Sequence, residues 1–137
     1  HLTYTKKKLN KLSFLVYGLG SSGNSVVQFF KKKKVLDYTV WDDNAKLRKK
    51  YSLKITKNLK SRFKVVDYIV LSPGISLKKS KYKKNLIKFR KKIITDIDLL
   101  YLSNSKFQSI VVTGSNGKST TCKIIAHLLK KTKKKLI

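Results

Sequence analysis

The feature that most constrains this chain is a glycine loop set between an apolar run and an amphipathic one. Residues 12–17 (LSFLVY) have the composition of a short strand, Gly18-Leu19-Gly20-Ser21-Ser22-Gly23 follows, and Val26, Val27, Phe29 and Phe30 then recur at helical spacing. Strand, glycine turn and helix in that order open a βαβ unit, and residues 38–41 (YTVW) supply the next strand, closing on Asp42 and Asp43. A G-x-G-x-x-G turn in this setting lets backbone approach a diphosphate, and an acid at the end of the following strand receives hydroxyl hydrogens. By itself the pattern fits NAD(P) or another dinucleotide, and an oxidoreductase.

The alternation continues, which predicts an α/β domain with a mainly parallel sheet. Residues 44–50 read as a short helix capped by Asp43 or Asn44. Residues 52–64 are ambiguous, with 53–56 a possible strand. Residues 65–71 (VVDYIVL) are a buried strand stopped by Ser72-Pro73-Gly74, because proline cannot donate to a ladder and glycine turns the chain. A basic helix over 80–90 turns Tyr82, Leu86 and Phe89 inward; 93–95 is a short strand, and Asp96 opens an apolar helix through Leu102. The polar stretch 103–106 (SNSK) is the best candidate for a domain boundary.

Beyond it the strand–loop–helix pattern recurs. Residues 110–112 read as a strand, Thr113-Gly114-Ser115-Asn116-Gly117-Lys118-Ser119-Thr120-Thr121 as a glycine loop, and 118–131 as a helix with Cys122, Ile125, Ala126 and Leu129 on one face. Backbone N–H groups at a helix N-terminus wrap phosphate oxygens where no Cβ intrudes, a need that Gly114 and Gly117 meet. Lys118 would reach the β- and γ-phosphates of ATP, and the Ser119 hydroxyl would bind Mg²⁺. The general phosphate-loop pattern has a further glycine, separated from the Gly-Lys pair by four residues, where this chain has Val112. The plain alternative is a glycine-rich turn that merely caps a helix. A nicotinamide dehydrogenase has no use for a second phosphate loop here, so the pair implies one nucleotide-linked substrate and one ATP.

Three segments in order, residues 18–23, 67–75 (DYIVLSPGI) and 113–121, together resemble the Mur ligases, specifically the branch that adds D-glutamate. The second loop resembles that family's Thr-Gly-Thr-Asn-Gly-Lys-Ser/Thr-Thr, with Ser115 for the usual Thr. Residues 94–99 are similar to its Gly-Asp-Ile-Glu-Leu, with Thr95 for Gly and Asp98 for Glu.

The resemblance implies a Rossmann-like domain over 1–105 that binds UDP-N-acetylmuramoyl-L-alanine. The first strand, phosphate loop and helix of an ATPase domain follow over 106–137. It implies that Gly20, Ser21 and Ser22, within the Gly18 to Gly23 loop, contact the UDP diphosphate. Asp42 and Asp43 would approach the uridine, and Ser72, Pro73 and Gly74 would line the muramoyl path. Gly114, Ser115, Asn116, Gly117, Lys118, Ser119 and Thr120 would bind ATP, with Lys118 catalytic and Ser119 a metal ligand. The blander reading is that Asp42 and Asp43 cap a helix and 72–74 turn the chain. The activity implied is ATP-dependent ligation of D-glutamate through an acyl phosphate, in the cytoplasm, by a monomer. The remaining catalytic groups would lie beyond Ile137, so the chain alone is expected to be inactive. It opens on His1 and stops at Ile137, and both ends are expected to be cuts in a longer protein.

Composition bears on the partners. A net charge of +28, from 34 basic and 6 acidic residues, suggests a polyanion such as nucleic acid. The cations are almost all lysine, however, with arginine only at 48, 62 and 90. Base-reading and phosphate-clamping surfaces favour the bidentate guanidinium. Lysine clusters at 6–8, 31–34, 78–84 and 130–135 fall at expected helix ends and loops, so the excess reads as a coding bias and no nucleic-acid partner is expected. Cys122 is the single cysteine, so no internal disulfide can form. Cys122 is expected as a small core residue and His127 as a partly buried one. No apolar run approaches the ~20 residues that span a bilayer, so no membrane insertion is expected.

Overall fold

The computed structural model describes residues 9–103 and 110–132. The chain divides into two compact units, His1–Phe107 and Gln108–Ile137.

In the first unit four short strands, β1 (Phe14–Tyr17), β2 (Tyr38–Trp41), β3 (Tyr68–Leu71) and β4 (Ile93–Ile94), pair in the order β2-β1-β3-β4, all parallel. Phe14 lies opposite Tyr38 on one side and Tyr68 on the other, which sets the register of the three longer strands. Every residue of β1 is buried, as a central parallel strand covered on both faces demands. The mainly parallel α/β architecture expected from the alternating patterns is the one adopted.

Among the described residues of this unit four α-helices lie in the connections, α1 (Ser21–Lys32), α2 (Ala45–Arg48), α3 (Leu59–Val65) and α4 (Lys83–Lys88), and α5 (Asp96–Ser103) follows β4. Side chains alternate along a strand, so β1 feeds two cores. Phe14 and Val16 join Val26, Val27 and Phe30 of α1 and Leu99 of α5. Leu15 and Tyr17 join Leu59 and Phe63 of α3 and Leu86 of α4. Phe14 and Phe30 pack with ring centroids 4.7 Å apart, and Phe63 lies 6.1 Å from Tyr17 and 6.2 Å from Phe89. Each full burial of such a ring stabilises by about 1.5–3 kcal/mol.

Polar pins hold the sheet in register. An Asp67 carboxylate oxygen accepts from the Ser13 N–H at 2.8 Å and from its hydroxyl at 2.7 Å, which aligns the entries to β1 and β3. Arg62 of α3 pairs with Asp37 and donates to Thr39 Oγ1 at 3.0 Å. Lys92 Nζ donates to the carbonyls of Lys64 and Val66 at 2.6 and 2.7 Å, satisfying acceptors left over at the end of α3.

The structure departs from the sequence reading in several places. Residues 59–65 are helical: Asn58 accepts from the Ser61 N–H at 3.0 Å as N-cap, and Leu59 and Phe63, one turn apart, are buried. The expected strand over 65–71 therefore starts only at Tyr68, and Val65, at the end of α3, is 62% exposed. Over 53–56 there is no strand; a 3₁₀ stretch, Lys49–Lys54, leads to Ile55, which makes a single parallel bridge with Val40. The boundary expected at 103–106 touches Ser103, the last residue of α5, and otherwise lies outside the described residues.

In the second unit helix α6 (Lys118–Lys131) follows the glycine loop. No strand forms over 110–112, and Ile110 and Val111 are exposed. A strand needs a ladder partner, and none of the described residues pairs with these three. The apolar face of α6 is correspondingly thin: Ile125, Ala126 and Leu129 are partly covered, whereas Cys122 and His127, expected to be buried or partly so, are exposed.

Candidate functional site

In the first unit a cleft of about 260 Å³ opens at the carboxyl ends of the strands, lined by Gly18, Gly20, Ser21, Ser22, Asp42, Leu47, Ser72, Gly74 and Ile75. The strand order explains its position. The chain leaves β1 for β2 on one side and then crosses to β3 on the other. The connections therefore diverge and leave a crevice, which is where open α/β sheets bind ligands.

The three glycines of the first loop have different tasks. Gly18 has φ +102°, a conformation side chains rarely adopt, and a Cβ there would meet Ser72 Cβ at 2.6 Å. At Gly23 a Cβ would lie 1.8 Å from the Gly18 carbonyl oxygen, so only glycine lets α1 pack against the end of β1. Gly20 has open space where its Cβ would be, and as N-cap of α1 it offers no side-chain cap. Its lack of a side chain serves nothing inside the fold and leaves the helix N-terminus accessible from the cleft, with Ser21 and Ser22 beside it.

The opposite wall is the turn after β3. Ser72 Oγ donates to the Gly18 carbonyl at 2.9 Å, its N–H donates to the Tyr17 carbonyl at 2.9 Å, and the Ile75 N–H closes the turn on the Ser72 carbonyl at 3.0 Å. Pro73 is exposed and does not line the cleft.

The two acids after β2 separate. Asp42 is 5% exposed, and its carboxylate accepts from the Leu19 N–H and the Asn44 N–H, each at 2.7 Å. It therefore ties the first loop to the end of β2 and starts the turn into α2, where Asn44 accepts from the Lys46 N–H at 2.9 Å. Arg48 donates to the Asp42 carbonyl, its guanidinium 4.4 Å from the centre of the Trp41 ring. Asp43 turns to the other face of the sheet and accepts from the Tyr17 hydroxyl at 2.7 Å, and that hydroxyl lies 2.8 Å from Ser80 Oγ. Burial, opposed by the Ser80 hydrogen bond and reinforced by Asp43, holds the Tyr17 phenol well above its ordinary range, so it is a neutral donor.

Of the residues assigned to the first site from sequence, Gly18, Gly20, Ser21, Ser22, Asp42, Ser72 and Gly74 meet around one cleft. Gly23 lies buried beneath it, and Asp43 follows Asp42 with its side chain directed to Tyr17. Sequence reasoning gave no site role to Leu47, Tyr17, Ile75 or Ser80. Leu47 is the one large apolar residue in 44–50, a signal that was available; Tyr17 and Ser80 are 63 positions apart and carry no local pattern.

The second loop stands at the start of α6. Gly114 and Gly117 have φ +145° and +76°, so both use conformations that favour glycine. Gly117 is the N-cap and provides no side-chain cap, and 113–120 are exposed. Lys118 Nζ folds back over the loop, donating to the Gly114 carbonyl and to that of Ser115 at 3.2 Å. A helix N-terminus without a side-chain cap, two glycines and an ammonium on the same loop fit a polyphosphate.

The sequence matches the family described as Mur ligase MurD-like, N-terminal domain, over residues 12–95. It is similar to proteins named UDP-N-acetylmuramoylalanine--D-glutamate ligase. The one from Rickettsia felis is 40% identical over 134 residues, covering 93% of this chain and 28% of the relative. That from Francisella philomiragia is 37% identical over 131 residues, again covering 93% and 28%. Rickettsia prowazekii has one that is 36% identical, covering 92% and 28%. The chain thus spans little more than a quarter of the length of these relatives. With the family's matched segment containing the whole sheet and the cleft at its carboxyl ends, this chain belongs to the MurD-like Mur ligases through their N-terminal domain.

Proposed function

We propose that the first unit binds the UDP-linked substrate of a D-glutamate-adding ligase, UDP-N-acetylmuramoyl-L-alanine, and that the second begins the ATP site of the same enzyme. The observation that carries the first half is the cleft at the switch point. Its floor is a glycine loop with one residue, Gly20, whose missing side chain has no packing reason. A diphosphate there would be received by the N-terminus of α1 and the hydroxyls of Ser21 and Ser22. The turn after β2 that starts at Asp42 would approach the uridine, and Ser72 and Gly74 would line the muramoyl path. A nicotinamide reading is not favoured, because Asp42, the acid that would receive ribose hydroxyls, is buried and holds two backbone N–H groups.

In the second unit Gly114 to Thr120 would hold the phosphates of ATP. Lys118 would leave the two loop carbonyls and place its ammonium on the transferring phosphate. Ser119 would give Mg²⁺ one ligand. Among the described residues no group of three or more His, Cys, Asp or Glu could hold a metal ion, so the other ligands would come from elsewhere. Bound there, ATP with Mg²⁺ would supply the phosphoryl group that activates the L-alanine carboxylate, releasing ADP, and the amine of D-glutamate would then bond to the acyl carbon and displace inorganic phosphate. No helix among the described residues is long and apolar enough to cross a membrane. The working compartment we assign is the cytoplasm, where the nucleotide-linked substrate and ATP are both available, and the partners are small molecules.

Calorimetric titration with UDP tests the reading. Gly20→Val places a branched side chain in space that is open in the structure, so folding should survive while UDP affinity falls at least tenfold. Undiminished binding by a folded variant would remove the loop from the site.

A further inference from the structure

The two helical layers of the first unit differ in charge. On one face of the sheet α1 exposes Ser21, Asn24, Ser25 and Gln28 ahead of two lysines in its last turn, and α5 has two aspartates and no cation. On the other face α3 (LKSRFKV) and α4 (KKNLIK) carry Lys60, Arg62, Lys64, Lys83, Lys84 and Lys88 and no acid. A lysine-favouring code accounts for the number of cations but not for this placement, since it would load the exposed positions of both layers alike. The outward side of the second layer is fixed from within. Leu59, Phe63 and Leu86 are buried on the sheet, and the Phe63 ring joins the helices, 6.1 Å from Tyr82 and 6.2 Å from Phe89. Helical spacing then puts Lys64 and Val65 on the outer side of α3, and Lys84, Ile87 and Lys88 on that of α4. Val65 and Ile87 are each more than half exposed.

We infer that the outer face of α3 and α4 docks on an anionic lipid bilayer, with the lysines on the headgroups and Val65 and Ile87 pressed into the boundary beneath them. A lysine stem lies along apolar surface while its ammonium stays in the polar layer, so lysines flanking aliphatic side chains suit that boundary. Each ammonium also adds attraction to an anionic leaflet. A nucleic acid would meet the same ammoniums but would gain nothing from Val65 and Ile87. The bidentate guanidinium that grips phosphates best is moreover engaged elsewhere, because Arg62 is held by Asp37 and by Thr39 Oγ1. The contact is peripheral: both helices keep their buried residues on the sheet, and nothing crosses the bilayer. The nucleotide cleft is lined by none of these residues, so docking goes beyond the proposed ligand binding and does not rest on it.

The test is co-sedimentation of this chain with vesicles of equal parts phosphatidylglycerol and phosphatidylcholine, beside vesicles of phosphatidylcholine alone and a DNA duplex. The chain should bind the anionic vesicles and not the neutral ones, and its affinity should fall as salt rises. Lys60→Gln/Lys64→Gln/Lys84→Gln/Lys88→Gln should weaken vesicle binding at least about a hundredfold. Lys31→Gln/Lys32→Gln/Lys33→Gln/Lys34→Gln removes the same charge from the end of α1 and the turn after it, and should weaken binding no more than about threefold. Ile87→Gln removes no charge and should weaken it about fivefold. Each variant should keep the parent's circular dichroism spectrum, as exposed substitutions do. Equal loss in the two lysine variants would mean that net charge alone is felt, and undiminished binding by Ile87→Gln would mean that no apolar contact forms. Either result overturns the inference, as does failure of the parent to bind anionic vesicles. Tighter binding to the duplex than to the vesicles, lost in the α3–α4 variant, would give the face to nucleic acid instead.

Discussion

The carbonyl oxygen of Gly18 and the Cα of Gly23 are in such close contact that a methyl group on Gly23 would lie 1.8 Å from that oxygen. The oxygen cannot easily retreat, because Ser72 Oγ donates to it at 2.9 Å from the turn on the other side of the cleft. Gly23→Ala must therefore shift α1 away from β1 or break the Ser72 contact. The expected cost is at least about 1–3 kcal/mol, the range for overpacking a tight interior. Urea unfolding followed by circular dichroism reads it, and a midpoint equal to that of the parent would contradict the packing. Gly20→Ala is the internal control: its site is open and its φ is −66°, so its stability should stay within about 0.5 kcal/mol.

Asp42 gives a second prediction. Asp42→Ala leaves the Leu19 and Asn44 N–H groups without their acceptor, and the Leu19 bond is buried. Each lost charge-assisted bond of this kind costs about 1.5–3 kcal/mol. The variant should be clearly less stable, and amide exchange at Leu19 should accelerate more than exchange in β4. Uniformly unchanged exchange would show that the carboxylate is not the clasp of the first loop.

The tyrosines set an alkaline limit. Burial raises the phenols of Tyr17, Tyr38 and Tyr51 above their usual value of 10.0, for Tyr17 with a further contribution from Asp43. Once pH passes about 10 the unfolded chain loses these protons while the folded chain keeps them. The unfolded state then binds fewer protons, so the stability gained from burying neutral phenols is fully present below pH 10 and declines above it. Urea midpoints should be level with respect to these groups from pH 8 to 9.5 and fall beyond. Tyr17→Phe should shallow that fall, and an identical slope in the variant would contradict the buried phenol.

Lys118 is exposed and bonded only to carbonyls of its own loop among the described residues. Lys118→Ala should change stability by no more than about 0.5 kcal/mol. It should weaken Mg·ATP binding at least tenfold and leave UDP binding untouched, since the two phosphate loops belong to separate units. Equal loss of both ligands would indicate damage to the fold, and undiminished ATP binding would remove Lys118 from its assigned role.

Much was determined by the sequence alone, because the controlling forces are local. Gly18 and Gly117 are required by their own backbone angles, β1 and β2 by runs of apolar residues, and the helix after the first loop by the spacing of Val26, Val27 and Phe30. Helix α3 was obscured because lysines dilute its two-residue apolar stripe, Leu59 and Phe63, although the Asn58 cap was there to be read. The expected strand at 110–112 did not form, since a strand is a property of a pair and its partner is not supplied by the described residues. Tertiary structure alone assigned the two aspartates different duties. Asp42 and Asp43 are adjacent and chemically identical, but successive side chains leave a strand end on opposite faces. One meets the Leu19 and Asn44 N–H groups and the other a buried phenol with Ser80 behind it, contacts that exist only once the sheet has brought the ends of β1, β2 and β3 together.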